Sequence, residues 1–243
     1  MQPIRRKDWL KTYFRSFYIQ VGWNYERMIA LGFIWILLPL AQRLFPEKDK
    51  LKDFVFRHLK TFNANPYLAS YAIGAVANLE THNAPPHTID RFKEVLRGPL
   101  GSLGDNLIWF HLRPALTVLG IVIASLYGLW GVIAFWVIYN LHQVFVRARG
   151  IYKGYILGTG LIPELSGKYF PYLTRFFSIL GAVLLGAFIL LKLRDGFSEE
   201  KIYVIIFLGS AIFSFFLVRK RVNPAIVFTV LLLILMGVKL IIE

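Results

Sequence analysis

Three long apolar runs near the C-terminal end constrain this fold more than any other feature of the chain. Residues 176–193 carry one charge, Lys192, residues 202–218 carry none, and residues 225–242 carry only Lys239. Each run is close to the roughly 17–25 residues that a helix needs to cross the hydrocarbon layer of a membrane. A lysine near a helix end can extend to the membrane surface. The runs therefore predict an all-α integral membrane protein with about three C-terminal transmembrane helices.

The composition supports a membrane protein and argues against a nucleic-acid binder. Hydrophobic residues make up 56% of the chain, which exceeds the roughly 45–50% of soluble proteins. The formal net charge is +14, but a basic soluble protein rarely carries three long apolar runs. In a membrane protein, Lys and Arg collect in cytoplasmic loops and contact anionic headgroups. We therefore expect anionic lipid, and no nucleic acid, among the partners.

The sequence contains no recognisable catalytic or metal-binding set. Cysteine is absent, which excludes disulfides, thiolate catalysis and cysteine metal sites. The histidines show neither metal-ligand spacing nor a paired nucleophile or carboxylate; they are His58, His82, His87, His111 and His142. The basic start of the chain leads into an amphipathic stretch and not into the apolar core of a cleavable signal. We predict a protein without catalytic residues, a metal ion or a cofactor of its own.

Basic residues in the short loops predict the orientation of the chain in the membrane. The turn at 219–221 is Arg-Lys-Arg and is predicted to be cytoplasmic. The loop at 194–201 holds three carboxylates and is predicted to face outward. Residues 147–175 hold five Lys or Arg against Glu164 alone, so we place them at the cytoplasmic surface.

The N-terminal segment has the pattern of a helix that lies in the membrane interface. Asp8 is its predicted N-cap. The apolar face consists of Leu10, Tyr13, Phe14, Phe17 and Val21, and the basic face of Lys7, Lys11 and Arg15. This pattern predicts that the N-terminus is cytoplasmic.

Residues 28–81 predict short helices and are followed by a break. The stretches 28–40 and 65–79 are apolar but too short to cross a membrane alone. They suit half-crossing or protein-buried helices. The linker at 81–88 contains two tandem prolines and is predicted to be non-helical.

Residues 115–146 are long and apolar but are interrupted by glycines. They form either one span or two half-helices that meet near 127–131, and we favour the broken form, because interrupted hydrophobic segments are typical of transporters. The predicted organisation is a core at 1–175, with interfacial, half-crossing and glycine-broken helices. Transmembrane helices follow at 176–243.

A glycine-rich stretch at 98–106 is the first candidate ligand site. It lacks the lysine of a nucleotide phosphate loop. Its glycines allow the backbone to approach a ligand closely, and Asp105 can accept hydrogen bonds from ligand hydroxyls. Alternatively, the glycines serve helix packing and Asp105 caps a helix at 106–112. A buried Asp105 needs a partner, and Arg113, two helical turns further on, is the expected one.

Two further stretches combine polar and aromatic residues. Asn63 and Asn65 precede Pro66, and a carboxamide offers both a donor and an acceptor to hydroxyl groups. The alternative is that an asparagine here caps a helix that the proline opens. Residues 23–28 place charges and an amide beside aromatic rings, which indicates a membrane boundary or a surface that docks a partner subunit.

In this order, these segments resemble the IID subunit of the mannose/fructose/sorbose family of the bacterial phosphoenolpyruvate-dependent sugar phosphotransferase system. The resemblance covers nearly the whole chain, from Tyr13 to about Leu193. Its markers are Arg15-Ser16-Phe17, Trp23 to Met28, Arg57-His58, Phe62 to Pro66, Leu96 to Asp105, Leu112-Arg113-Pro114, and Gly154-Tyr155 with Gly158. Where the family has threonine and usually histidine, this chain has Ala64 and Asn65.

The resemblance implies a multi-pass permease subunit of the bacterial cytoplasmic (inner) membrane. A IID subunit forms the sugar path with a IIC partner, while cytoplasmic IIA and IIB domains carry phosphate on histidines of their own. A higher oligomer of IIC–IID pairs is expected. The residues expected to bind a hexose-type sugar are Asn63, Asn65, Glu80 and Asp105. Those expected to be structural or partner-facing are Arg15, Trp23, Asn24, Glu26, Arg27, Gly98, Pro99, Gly101, Gly104 and Arg113.

Two rival readings stay open from the sequence. The departures at Ala64 and Asn65 motivate a membrane scaffold or sensor that descends from such subunits and carries no sugar. A self-contained membrane enzyme is the third possibility, although no nucleophile supports it. The permease interpretation requires residues 62–66 and 98–105 to meet inside a sheltered, protein-walled cavity.

Overall fold

The computed structural model describes residues 3–196, and within them the regular elements are all helical. The chain divides into two compact units, Met1–Leu185 and Gly186–Glu243, and the sites described below lie in the first. The predicted spans at 202–218 and 225–242 and the basic turn at 219–221 lie outside the described residues. The helices are α1 (Arg6–Arg15), α2 (Ala30–Leu44), α3 (Lys48–His58), α4 (Ala69–Thr81), α5 (Pro86–Gly104), α6 (Arg113–Tyr127), α7 (Leu129–Leu157), α8 (Leu161–Leu165) and α9 (Tyr169–Gly196).

Within residues 3–196, three stretches are long and apolar enough to cross a membrane: Pro86–Tyr127, Leu129–Leu165 and Tyr169–Phe188. The last of these contains most of the apolar run predicted at 176–193. No strand forms in the described part of the chain. The prediction of an all-α membrane protein is confirmed.

The first helix differs in detail from the sequence prediction. Asp8 is not the N-cap but the third residue of α1, where its carboxylate accepts the backbone N–H of Arg5 at 3.1 Å. Asp8 also pairs with Arg43 of α2 at 3.3 Å. The helix ends at Arg15 and a 3₁₀ turn follows at Ser16–Tyr18, so the predicted apolar face does not continue as one stripe. Local capping rules cannot show that α2 supplies a cation at this point.

Helices α2 and α4 are buried inside the protein, as their shortness predicts. Nearly every residue of α4 is buried, from Ala69 to Glu80. In α2, Pro39 has no N–H, so the carbonyl oxygen of Trp35 loses its helical partner. Arg15 replaces that partner, because its Nη1 donates to the Trp35 oxygen at 2.8 Å. The arginine therefore stabilises a proline-containing buried helix.

Helices α4 and α7 cross at very close range. A Cβ atom on Gly74 would lie 2.2 Å from the carbonyl oxygen of Ile151, and one on Gly154 would lie 2.2 Å from that of Tyr71. Small residues four apart on facing helices permit this approach. The sequence marker formed by Gly154, Tyr155 and Gly158 lies at this crossing. Asn78 of α4 donates to the Tyr155 carbonyl there, at 2.7 Å.

The glycine-rich stretch is helical and not broken. Helix α5 contains Gly98 and Gly101, ends at Gly104, and continues through a π-helical segment (Asp105–Leu112) into α6. The predicted non-helical linker is also shorter than expected, because α5 begins at Pro86. A proline at the first helical position gives up no helical hydrogen bond, so the second proline of the tandem can begin a helix.

The predicted break at 127–131 is present. Helix α6 ends at Tyr127, Gly128 adopts φ +57°, and α7 begins at Leu129. A Cβ on Gly131 would lie 2.4 Å from the backbone nitrogen of Ala124, so the two helices fold back on each other. They are longer than half-helices, because α6 is the end of the continuous stretch from Pro86 and α7 has 29 residues.

Candidate functional site

A polar cleft of about 210 Å³ lies where the loop at 62–66 meets the last turns of α5 and the turn before α2. Amides and charges dominate its lining. The lining residues are Gln20, Trp23, Ile29, Asn63, Ala64, Asn65, Pro66, Arg97, Gly101 and Asp105. The two sequence stretches singled out above therefore line one cleft, but it is not the sheltered cavity that the permease interpretation requires, because Asn63, Arg97 and Asp105 are exposed there.

Asn65 is buried and organises the floor of the polar cleft. Its Nδ2 donates to Asp105 Oδ1 at 2.9 Å, and its Oδ1 accepts the backbone N–H of Tyr67 at 3.1 Å. Gly104 makes this contact possible, because a Cβ there would lie 2.2 Å from the Asn65 Cβ. Asn65 thus aims the carboxylate of Asp105 and leaves its second oxygen for another donor.

Several polar groups of the cleft have no protein partner within residues 3–196. Asp105 accepts one hydrogen bond, through Oδ1 only. The side chains of Asn63, Gln20 and Arg97 are exposed and make no hydrogen bond or ion pair inside this part of the chain. Together they offer donors, acceptors and one cation to a small ligand, and the ring of Trp23 adds an apolar wall.

The volume limits the ligand that this cleft can hold. Pockets for drug-sized ligands measure about 300–1,000 Å³, whereas this one is smaller. A single polyhydroxylated ring matches both its volume and its many hydrogen-bonding groups. A sugar hydroxyl both donates and accepts hydrogen bonds, so its site needs donors and acceptors. Carboxamides offer both, a carboxylate accepts and a guanidinium donates.

The expected pairing of Asp105 with Arg113 is wrong. Arg113 lies over the ring of Trp109, with its guanidinium 5.2 Å from the centroid, and Asp105 bonds to Asn65 instead. Residues eight apart in an α-helix lie about 12 Å apart along its axis and roughly 80° apart around it, so this spacing does not bring two side chains together. The segment between them is π-helical, which no local signal in the sequence predicts.

Glu80 lies in a different place, here called the buried network: Arg57, His58, Glu80 and Lys93. Arg57 Nη2 donates to both Glu80 oxygens, at 2.8 and 2.9 Å. His58 Nε2 lies 2.9 Å from Glu80 Oε1, and Lys93 Nζ lies 3.1 Å from His58 Nδ1. The rings of Phe33 and Phe62 lie under the lysine ammonium, at 5.1 and 5.6 Å.

The electrostatics of the buried network favour a neutral imidazole. Burial, the largest cause, lowers the pKa of His58 from 6.5 to about 4, and the hydrogen bond to Glu80 opposes it. We assign the proton of neutral His58 to Nε2, because Glu80 accepts there and the Lys93 ammonium donates to Nδ1. The four side chains are therefore joined by hydrogen bonds, although Arg57 Nε is buried without a hydrogen-bond partner in residues 3–196.

The loop at 23–28 is shaped by its own amide. Asn24 Oδ1 accepts the backbone N–H of Arg27 at 2.9 Å, and its Nδ2 donates to the Gly22 carbonyl at 3.1 Å. Glu26 and Arg27 pair with each other at 3.2 Å on the surface. The tight loop leaves the rings of Trp23 and Tyr25 in mutual contact and exposed, Tyr25 to 84%. This geometry keeps Trp23 at the cleft wall.

Sequence reasoning missed Gln20 and Arg97 in the cleft and Arg147 behind it. The signal for Arg97 was present: Arg97, Gly101 and Asp105 are spaced by four residues and therefore share one helix face. Arg147 of α7 donates to the carbonyl oxygens of Ser16 and Pro66, at 2.9 and 2.8 Å. It ties the 62–66 loop to the N-terminal segment. Nothing local to Arg147 predicts partners 131 and 81 residues away.

The glycines and the proline at 98–104, which were expected to be structural or partner-facing, differ in how tightly they are packed. Among the described residues, no heavy atom lies within 4 Å of a Cβ built on Gly98 or on Gly101. Gly101 lines the polar cleft, whereas Gly98 is exposed and Pro99 lies half-buried inside α5. The glycines of this motif therefore do different work, since only Gly104 is required for close packing.

Comparison with known protein families gives one consistent result. The model of the PTS system mannose/fructose/sorbose family IID component matches residues 3–192. The mannose-specific EIID component of Escherichia coli K12 is 34% identical over 194 residues, which cover 77% of this chain and 69% of that protein. The sorbose-specific EIID component of Lacticaseibacillus casei is 32% identical over 75% of this chain and 67% of the relative.

Solved structures resemble the whole chain. A cryo-electron microscopy structure of the mannose transporter ManYZ with microcin E492 contains a chain that matches with a TM-score of 0.62 and 27% identity, covering 98% of this chain and 97% of that one. A second solved membrane protein matches with a TM-score of 0.75 and 26% identity, covering 97% of each chain.

Proposed function

The chain belongs to the IID component family of the mannose/fructose/sorbose phosphotransferase system, and on that premise we propose that its polar cleft reads the hydroxyl groups of the transported sugar. It is a membrane subunit of a phosphotransferase sugar permease. The cleft would receive one hexose-type ring through Asn63, Asp105 and Arg97, with Trp23 beside it.

One observation carries this proposal: hydrogen-bonding groups from three separate segments converge on a small cavity and remain unpaired. The side chains of Asn63, Arg97 and Asp105 are exposed in the cleft, so a ligand can reach them without displacing a protein group. Asn65 stabilises the arrangement without occupying the free oxygen of Asp105. Asn65 therefore still shapes the cleft, although the resembling family usually has histidine at this position.

Glu80 enters the proposal in a supporting role. Arg57 and His58 occupy both of its oxygens, so we assign it to holding α3, α4 and α5 together and not to the sugar itself.

The proposal includes a IIC partner that completes the sugar path. The α6, α7 and α9 helices expose many large apolar side chains, among them Trp130, Trp136 and Phe145, and these suit lipid or a partner helix. IIA and IIB domains would deliver phosphate to the sugar, and this chain would not carry it. We further propose an inner-membrane location with the N-terminus in the cytoplasm, contact with anionic lipid, and a higher oligomer of IIC–IID pairs.

Sugar uptake tests the proposal directly. The chain would be expressed with its IIC, IIA and IIB partners in cells that lack a mannose-family permease, and uptake of labelled mannose, fructose and sorbose would be measured. Asp105→Asn removes the charge that accepts a sugar hydroxyl, and a hydrogen bond to a charged group contributes about 1.5–3 kcal/mol, so uptake should fall about tenfold to hundredfold.

Asp53→Asn is the matched control, since Asp53 is exposed on α3 and does not line the cleft. Equal membrane abundance of the two variants shows that folding is intact. Uptake by Asp105→Asn at the wild-type rate for all three sugars would contradict the proposal. In that case the scaffold or sensor alternative would regain support.

A further inference from the structure

An apolar groove of about 350 Å³ runs between α1 and α7, away from the polar cleft. Its surface is almost entirely hydrocarbon and aromatic, and Arg6 is the one charged residue of its lining. We call it the α1–α7 groove. The residues that define it here are Arg6, Trp9 and Leu10 of α1 and Ala148, Tyr152 and Tyr155 of α7.

Two contacts fix the direction of α1 along α7. The ring of Trp9 meets that of Tyr155 edge to face with centroids 4.7 Å apart. The hydroxyl of Tyr13 donates to the carbonyl oxygen of Val144 at 3.2 Å. The helices are therefore antiparallel, and Arg6 lies toward the C-terminal half of α7.

The composition of α7 changes along the groove. Residues 129–146 contain no Lys, Arg, Asp or Glu, whereas Arg147, Arg149 and Lys153 follow within the next seven positions. Basic residues among aromatic and apolar ones are typical of the membrane interface. The α7 residues of the groove, Ala148 to Tyr155, lie in this basic half, and the Tyr13 end of α1 points toward the uncharged half.

The charge around Arg6 is strongly positive. Its chain neighbours Arg5 and Lys7 are exposed, while Lys7 and Lys11 line a separate cavity between α1 and α2. The single carboxylate of α1, Asp8, is occupied by Arg43 and by the Arg5 backbone. Arg6 makes no ion pair with any residue in 3–196. An anion at this end of the groove therefore meets Arg6, with Arg5 and Lys7 as its chain neighbours.

We propose that the α1–α7 groove binds one acyl chain of an anionic phospholipid, with the headgroup phosphate against Arg6. The acyl chain lies between Leu10, Ala148 and Tyr152, and the headgroup phosphate forms the ion pair that Arg6 lacks within residues 3–196. Charge complementarity at one end and hydrocarbon along the rest match this ligand. A sugar does not match, because the lining offers its hydroxyls almost no hydrogen-bonding partner.

Photolabelling tests this site independently of sugar transport. The IIC–IID complex would be placed in phosphatidylcholine nanodiscs that contain a trace of phosphatidylglycerol bearing a photoreactive acyl chain, and labelled peptides would be mapped by mass spectrometry. We expect label on α1 and on residues 148–155. An otherwise identical phosphatidylcholine probe should label them more weakly.

Two variants test the binding of the acyl chain and that of the headgroup separately. Ala148→Trp fills the groove and should abolish the label there, whereas Ala182→Trp, at an exposed alanine of α9, should not. Arg6→Gln should lower phosphatidylglycerol labelling about fivefold, because one basic residue at a membrane surface contributes about 1 kcal/mol. Arg91→Gln, at an exposed arginine of α5, is its control. Arg6→Gln also carries the test if Ala148→Trp does not fold.

Two results would overturn the proposal. Equal labelling by both probes, unchanged in Arg6→Gln, would show an ordinary lipid annulus with no anionic site. Crosslinks from the groove to a helix of the IIC partner, with no lipid label, would show that a subunit interface occupies it.

Discussion

The polar cleft and the buried network are both built from charged and amide side chains, but they differ in how many polar groups are already used. In the buried network, Arg57, His58, Glu80 and Lys93 bond to one another, and Arg57 Nε is left without a partner in the described residues. In the cleft, Asn63 and Arg97 have no partner inside residues 3–196 and Asp105 uses one oxygen. A paired cluster stabilises a fold, whereas an unpaired one that faces a cavity is ready to bind a ligand. Mutations should therefore separate the two regions by stability and by transport.

The largest expected effect is on stability, from Glu80→Ala. Removing one partner of a buried ion pair leaves the other charge uncompensated and costs about 3–5 kcal/mol. The variant should show a strongly lowered melting temperature in detergent and low abundance. Glu94→Ala, at an exposed position of α5, should behave as wild type. Equal melting temperatures for the two variants would remove the structural role assigned to Glu80.

The second effect is a dependence of stability on pH that comes from His58. Its pKa is about 4 in the folded protein and 6.5 when unfolded, so between these values the unfolded chain binds a proton that the folded chain does not. Stability is therefore complete above pH 6.5 and falls on acidification toward pH 4, by about 3 kcal/mol in total.

Comparison with His58→Gln isolates this effect. The variant is less stable at neutral pH, but its melting temperature should fall less steeply between pH 6.5 and 4 than that of the wild type. Parallel curves for the two proteins would contradict a neutral His58 in the buried network.

A third, smaller effect tests the packing that aims Asp105. Gly104→Ala places a Cβ 2.2 Å from that of Asn65, and overpacking of this kind costs about 1–3 kcal/mol. Uptake should fall together with a modest loss of stability. Gly98→Ala, where a Cβ meets nothing within 4 Å, should change neither. A normal uptake rate in Gly104→Ala would show that the Asn65–Asp105 contact is dispensable.

The smallest effect is expected from Asn63→Ala. Asn63 is exposed and bonds to no protein group in the described chain, so stability should not change. The loss of one neutral hydrogen bond to sugar, about 0.5–1.5 kcal/mol, should raise the apparent KM about twofold to tenfold. Asn106→Ala, at an exposed asparagine outside the cleft lining, is the control. An unchanged KM for every transported sugar would exclude Asn63 from the site.

Much of the candidate site was predictable from the sequence, but its geometry was not. Asn63, Asn65 and Asp105 were identified as hydroxyl-reading residues, and they line one cleft. The roles of the individual residues depend on contacts across the chain: Asn65 meets Asp105 from 40 residues away. The separation of Glu80 from this group could not be inferred, because its partners lie 22 and 23 residues away on another helix.

The sequence by itself determined that this is a helical membrane protein. Whether a segment prefers lipid or water depends on its own length, apolar content and charge, and not on its tertiary contacts. It also determined the α6–α7 break, because Gly128 adopts a backbone conformation that other residues rarely reach. Only the tertiary structure decided which polar groups are consumed and which stay open. That division depends on which helices approach closely enough for side chains to pair, and small residues such as Gly74, Gly104 and Gly154 permit the approach without specifying the partner.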